Sequence, residues 1–357
     1  MPVVSILLFA TGFFLLVLGA GWLIRGAVAI AGAAGVSPLV IGLTVVAMGT
    51  SSPELAVSLQ SAWLGQADMA VGNVVGSNIC NVLLILGLSA AVTPLLVAQE
   101  LVRRDVPLLI LLSLAVWALG VQGGLHWFHG LVLLAALLVH TIWCIHASRR
   151  ESRQVQSEYR AGFGGDPGGW VRTSILLLGG FGTLVLGSHF LVEGAVAVAR
   201  WLAVPETVIA LTIVAIGTSM PEVAASVLAA ARGQRDIAVG NVVGSCLFNL
   251  MGVLGASSLF AGELPVAAGI ATFDLPVMVA CAIACLPIFA RDRTIARWQG
   301  FVFLGFYAAY LVFLVLDATG HEARHGYAAV MGEFVLPLTG LTAVVLVVRA
   351  HVRRRDR

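Results

Sequence analysis

Two stretches of this chain are close copies of one another. GLTVVAMGTSSPELAVSLQSAWLGQADMAVGNVVGSNICNVLLILGLSA, from Gly42 to Ala90, aligns without a gap with ALTIVAIGTSMPEVAASVLAAARGQRDIAVGNVVGSCLFNLMGVLGASS, from Ala210 to Ser258, at a constant offset of 168 residues. More than half of the aligned positions are identical. In each copy an apolar run is broken by Gly-Thr-Ser-x-Pro-Glu, then by Gly-Asn-Val-Val-Gly-Ser, then by a single Asn. The interruptions are kept while the apolar filler drifts. What is duplicated is therefore a polar site and not only a pair of helices.

Composition says where that site must live. Hydrophobic residues make up 59% of the chain and charged residues 11%, with a mean hydropathy of +1.00; a soluble domain carries about a quarter charged residues. Runs of about 20 apolar residues, enough to cross a bilayer as a helix, recur from end to end. The alternating pattern of a membrane barrel is absent from the sequence. The expected fold is an all-α membrane protein of about eleven transmembrane helices, at roughly 4–24, 38–64, 70–93, 105–121, 127–147, 172–200, 206–232, 237–260, 270–290, 297–317 and 328–349.

The repeat divides these spans into two inverted five-helix halves, 1–147 and 172–320. Between them 148–171 reads as a polar, Gly-rich cytoplasmic linker, and 321–357 as an extra C-terminal helix with a basic tail. The first segment lacks a basic leader, and Leu16-Val-Leu-Gly19 matches Leu184-Val-Leu-Gly187 at the same offset, so it is expected to be a retained span. Asp105-x-Pro107 and Asp274-x-Pro276 extend the likeness to the fourth member of each half, where each reads as an N-cap with Pro in the first turn. With the N-terminus outside, nearly all the arginines fall on one face, and only Arg200 and Arg324 on the other. The positive-inside rule makes the rich face cytoplasmic, which implies an integral protein of a bacterial inner (plasma) membrane. Arg25 and its counterpart Glu193 read as interfacial anchors. Five cysteines lie in apolar segments without metal spacing, and Cys281 with Cys285 reads as packing.

An odd number of spans per half makes the two copies enter the membrane from opposite sides, so their interruptions meet near the midplane. Inverted repeats with broken helices are the build of secondary transporters. Glu54 and Glu222 each lie inside an apolar span, where a lone carboxylate costs a few kcal/mol on insertion scales. Pro53 and Pro221 are expected to free carbonyls around Ala47, Gly49 and Thr50, and around Ala215, Gly217 and Thr218. Such carbonyls persist in lipid only where protein or an ion satisfies them. Asn73, Ser77 and Asn81, like Asn241, Ser245 and Asn249, recur at spacing four and so share a face. Gly72, Gly76, Gly240 and Gly244 read as close-packing residues. The inventory is carboxylate, carbonyl, hydroxyl and amide oxygen. Hard oxygen donors suit Ca²⁺ and, by the same hardness, Na⁺. Two carboxylates balance one divalent ion, two monovalent ions or two protons.

At these residues the chain resembles the Ca²⁺:cation antiporter superfamily, in particular its prokaryotic sodium/calcium exchanger branch. Residues 42–90 and 210–258 look like the family's two alpha-repeats, and the likeness covers roughly 9–317. The resemblance implies that Glu54 and Glu222, with the carbonyls of Thr50 and Thr218, hold Ca²⁺. It implies one Na⁺ position at Ala47, Ser51 and Ser77, a second at Ala215, Ser219 and Ser245, and Asn81 and Asn249 bordering the centre. Some members carry Asp where this chain has Asn249, so one titratable group is missing and no K⁺ requirement is expected. The implied activity is Ca²⁺ extrusion against Na⁺ by alternating access, without a cofactor. The first and sixth spans, rich in Gly, would slide across a fixed core. The expected partners are the transported ions and the lipid bilayer; nothing points to nucleic acid or to an obligatory protein partner.

Four other readings compete, one of them a binding-only sensor, for which the sequence shows no attached domain. A H⁺/Ca²⁺ exchanger would use the same acidic pair, although the serines beside it favour Na⁺. A channel is disfavoured because a site that must be loaded to rearrange leaves no continuous path. His321-Glu322-Ala-Arg-His325 spells the zinc metalloprotease motif H-E-x-x-H, but it sits in a short loop between Gly320 and Gly326 without an evident third ligand.

Overall fold

The computed structural model describes residues 2–149, 169–204, 206–209, 212–213, 215–290, 293–320 and 326. The eleventh expected span, the basic tail, the H-E-x-x-H segment and nearly all of the linker lie outside these residues. The helices are α1 (Pro2–Ala34), α2 (Pro38–Thr50), α3 (Ser52–Trp63), α4 (Ala67–Val92), α5 (Leu101–Val121), α6 (Trp127–Arg149) and α7 (Trp170–Trp201). In the second half, α8 is described as two short pieces, Glu206–Ile209 and Ala215–Thr218. It is followed by α9 (Met220–Ala231), α10 (Arg235–Ala261), α11 (Ile270–Asp274 running into Leu275–Ala290) and α12 (Arg297–Ala318). Among the described residues seven helices are long and apolar enough to cross a membrane, and α2 with α3, bent by 47°, makes an eighth.

Burial separates centre from rim. The most apolar window of α10 is 100% buried and that of α4 78%, against 22% for α1 and 28% for α7. The repeat helices therefore form the core, and α1 and α7 present Phe13, Phe14, Ile175 and Leu178 outwards. At 33 and 32 residues, these two helices are about 50 Å long and exceed a hydrocarbon core of about 30 Å. They run antiparallel along a seam of glycines spaced by seven: Gly12, Gly19 and Gly26 on α1, and Gly180, Gly187 and Gly194 on α7. Gly12 lies against Gly187 and Leu191, Gly19 against Gly180 and Leu184, and Gly26 against Leu177. Small residues let backbones approach this closely, and a repeat of seven keeps the seam facing its partner.

Two short antiparallel ribbons tie the halves together. Leu95–Leu96 pairs with Thr294–Ile295, and Gly124–His126 pairs with Glu263–Pro265. Each ribbon joins one half to the other, and the repeat offset relates the two ribbons, as an approximate two-fold relation between the halves requires.

The aspartates ahead of Pro107 and Pro276 correct the N-cap expectation. Asp105 has helical φ −79° and ψ −38°, and its side chain makes no cap hydrogen bond. Both helices begin a turn earlier, as the wide π-turns Leu101–Asp105 and Ile270–Asp274. Proline has no N–H to give the ladder, and the preceding turn widens around it instead of ending. Asp105 is left to bind side chains: Arg104 donates to it through Nε and Nη2, both at 3.0 Å, and His140 Nε2 lies 2.9 Å away. Asp274 accepts from the Tyr310 hydroxyl at 2.8 Å. In each half the carboxylate thus fastens the fourth helix to the fifth, and for Asp105, which is fully buried, the pairing accounts for an otherwise costly charge.

Candidate functional site

The site forms where two broken helices meet two continuous ones. At Ser51 the chain leaves helical geometry (φ −82°, ψ 11°) and resumes with Pro53 in the first turn of α3, which puts Glu54 in that turn. Ser219, Pro221 and Glu222 repeat the arrangement at α9 (φ −87°, ψ 7°). A break at this position turns each glutamate inwards, and both are fully buried, at 0% and 1% exposure.

The halves exchange hydrogen bonds across the centre. Ser51 Oγ, from the first half, donates to Glu222 Oε1 at 2.8 Å, and Ser219 Oγ, from the second, donates to Glu54 Oε1 at 3.1 Å. Ser77 Oγ also donates to Glu54 Oε1 at 3.0 Å and lies 2.9 Å from Ser219 Oγ. Among the described residues, the second oxygen of each carboxylate has no hydrogen-bond partner. Nor do Ser245 Oγ, Asn249 Oδ1 or either amide atom of Asn81, although all are buried. Buried polar groups are normally satisfied, and two adjacent buried carboxylates are costly unless neutralised. Most of the orphaned atoms are oxygens, and oxygens in this number suit a hard cation.

Each expected residue has a definite place. Glu54, Glu222, Ser51, Ser219 and Ser77 meet directly, while Thr50 is buried and donates to Asn241 Oδ1 at 3.2 Å. Thr218 is half-buried at the equivalent bend, Ala47 is buried on α2, and Ala215 opens the last short piece of α8, its side chain outside the described residues. Asn81 and Asn249 each start a π-turn, Asn81–Ile85 and Asn249–Val253, within α4 and α10. Such bulges frequently accompany functional sites.

Two expectations about the backbone need correction. The Ala47 carbonyl is not freed, because the Ser51 N–H bonds it at 3.0 Å. In the second copy Ser219 N–H bonds Ile216 O instead, and the Gly217 carbonyl accepts from Ser188 Oγ of α7 at 2.6 Å. The glycines also differ between copies. Gly240 and Gly244 lie against the backbone of Leu39 and Leu43, whereas a Cβ on Gly76 would meet nothing within 4 Å among the described residues.

Several contributors to the site are evident only in three dimensions. Asn73 donates to Ser58 Oγ, and Asn241 to Ser226 Oγ, both at 2.9 Å, bracing α4 on α3 and α10 on α9. The repeat does carry a signal for this brace, since Ser58 and Ser226 are identical across it. Phe181 and Ser188 of α7, which cover Gly49 and Gly217, lie outside the repeat and carry none.

Comparison with known proteins agrees with this geometry. The family model described as sodium/calcium exchanger protein matches residues 4–146 and 173–316. The protein named as antiporter CaxA of Alkalimonas amylolytica is 39% identical over 84% of this chain and 95% of its own length. Sodium/calcium exchanger MaX1 of Methanosarcina acetivorans is 31% identical over 88% of this chain and 99% of its own. A solved structure of the sodium-calcium exchanger NCX_Mj superposes with a TM-score of 0.75 at 31% identity, covering 87% of this chain and 99% of that one. A match over both halves, joined to the duplicated acidic site, places this integral membrane protein in the sodium/calcium exchanger protein family.

Proposed function

We propose that the protein is a secondary antiporter that exchanges Ca²⁺ for Na⁺ at one central site by alternating access. The observation that carries this reading is the pair Glu54 and Glu222, fully buried, joined through hydroxyls from opposite halves, each with one oxygen unpartnered among the described residues. Loaded with Ca²⁺, the pair is neutral. Loaded with Na⁺, it is neutral again; empty, it holds two charges away from water. A site of this kind favours rearrangement when occupied and resists it when bare, which makes transport an exchange.

The residue roles are part of the proposal. Ca²⁺ takes Glu54, Glu222 and the carbonyls of Thr50 and Thr218. One Na⁺ takes Ala47, Ser51 and Ser77, the other Ala215, Ser219 and Ser245, with Asn81 and Asn249 at the border. The helix breaks at Ser51 and Ser219 and the hydroxyls at the acidic pair support the scheme. The glycine seam supports a moving unit in which α1 and α7 travel together over the core, because their backbones interlock along its length. The halves would be 1–147 and 172–320, joined by the 148–171 linker, with 321–357 added at the end. The arginine distribution supports a cytoplasmic C-terminus and an N-terminus outside. Similarity to the inner membrane protein YrbG of Escherichia coli, 33% identical over 86% of this chain and 95% of its own length, supports the inner membrane.

Flux of ⁴⁵Ca²⁺ into proteoliposomes, driven either by an outward Na⁺ gradient or by an outward H⁺ gradient, tests this assignment. Uptake that follows Na⁺ and ignores the pH step is the expected result. Uptake that follows only the pH step would transfer the same carboxylates to a H⁺/Ca²⁺ exchanger. If Na⁺ enters with net charge, the rate also responds to voltage, at about 2.3 kcal/mol per charge per 100 mV.

A further inference from the structure

The two central asparagines are related by the repeat, but the protein holds them differently. Both are fully buried, and each begins a π-turn. Among the described residues neither amide atom of Asn81 has a hydrogen-bond partner, and only the weakly bonding Cys246 thiol lies beside it. Asn249 is tethered: its Nδ2 donates to Asn78 Oδ1 at 3.1 Å, and its Oδ1 alone is unpartnered.

The orientation of that tether follows from Asn78. Its Nδ2 faces the Cys246 carbonyl at 3.4 Å and the Met278 sulfur at 3.7 Å. A carbonyl oxygen and a thioether sulfur accept and cannot donate. The Asn78 amide must therefore point its NH₂ at them and turn its Oδ1 towards Asn249. That oxygen in turn only accepts, so Asn249 must offer its NH₂ and present its own Oδ1 elsewhere. Ser245, four residues earlier on the same helix face, likewise carries an unpartnered buried oxygen.

We infer that Asn78 is a positioning residue that locks the Asn249 amide with its oxygen towards the transported cation. The relay runs from the Cys246 carbonyl through Asn78 to Asn249. It exists on one side only, because the residue at the repeat-equivalent of Asn78 is Cys246, whose thiol is a weak hydrogen-bonding group. Asn249 is thereby a committed acceptor, while Asn81 faces only a weakly bonding thiol and is held by no such lock among the described residues. A chain with Asp at 249 could not use this lock, since a carboxylate has no hydrogen to give Asn78 Oδ1. Asn78 and Asn249 are thus matched to one another.

The inference rests on the exchanger reading of the central site and is tested in the full-length protein, reconstituted, by the KM for Ca²⁺ in Na⁺-driven ⁴⁵Ca²⁺ uptake. Because KM does not depend on how much protein is active, partial misfolding does not distort it. Asn78→Leu, and independently the smaller Asn78→Ser, are expected to raise KM about tenfold with turnover changed less than about threefold. Asn249→Asp is expected to affect KM at least about fivefold more favourably in the Asn78→Leu background than alone, a coupling that lost packing by itself does not produce. Asn78→Leu and Asn78→Ser both within about twofold of wild-type KM, or an Asn249→Asp effect that ignores residue 78, would overturn the inference while leaving the exchanger intact. A wild-type protein without Na⁺-driven uptake would remove the exchanger reading itself.

Discussion

Glu54→Gln and Glu222→Gln should each reduce Na⁺-driven ⁴⁵Ca²⁺ uptake at least about a hundredfold, measured in everted vesicles or proteoliposomes. Removing one of the two charges that would compensate a buried divalent ion costs about 3–5 kcal/mol, and about 1.4 kcal/mol is a factor of ten. Glutamine is the right probe because it keeps the shape and an acceptor oxygen. Ser77 and Ser219 can still donate to residue 54, and Ser51 to residue 222, so the cross-half hydrogen bonds survive. What disappears is half the charge that balances a divalent ion. The same substitutions should leave the ion-free protein as stable as wild type or more so, since each removes an uncompensated buried charge. Ca²⁺ should then no longer raise the melting temperature of either variant. Uptake retained in both would contradict the assignment.

The second large effect concerns the seam between α1 and α7. Gly12→Val should lower turnover at least about tenfold, and Gly187→Val should behave alike; overpacking of a tight contact costs about 1–3 kcal/mol. A Cβ on Gly187 would come 2.8 Å from the backbone N of Leu16, and one on Gly12 would overlap the backbone of Leu191. Backbone cannot swing away as a long side chain can, so the two helices must separate. Separation also shifts Ser188 from the Gly217 carbonyl and Phe181 from Gly49, which are among the contacts through which α7 meets the broken helices. Gly182→Val is the control, because a Cβ there meets nothing within 4 Å among the described residues. Wild-type turnover in the two seam variants would show that α1 and α7 do not need this close contact.

The acidic pair is far more legible in the sequence than most of what surrounds it. Glu54 and Glu222 stand out because a carboxylate inside an apolar run is costly and here occurs twice in the same setting. Hydropathy and the prolines mark the helix positions and the break ahead of each glutamate. The π-turns at Asn81 and Asn249 leave no shared trace, since the first is completed by ordinary apolar residues and the second contains Gly252, which the other copy replaces with Leu84. Asp105 misleads for a related reason. Asp-x-Pro is the pattern of a helix start, but here the chain runs through the proline by widening the turn, and the aspartate binds Arg104 and His140 instead. The ribbons between halves are two and three residues long, too short for a periodic signal. Asn78 lies inside the repeat but at a position where the copies differ, so duplication, the strongest guide to the site, points away from it.

All of these effects depend on Glu54 and Glu222 sharing one cation. Diffraction from crystals grown with Ca²⁺, recorded at long wavelength so that calcium scatters anomalously, tests that most directly. A shared ion predicts a single strong peak between the two carboxylates, with oxygens from both at about 2.3–2.6 Å, and loss of that peak in Glu54→Gln. A peak held by one glutamate alone, or none between them at saturating Ca²⁺, would contradict it.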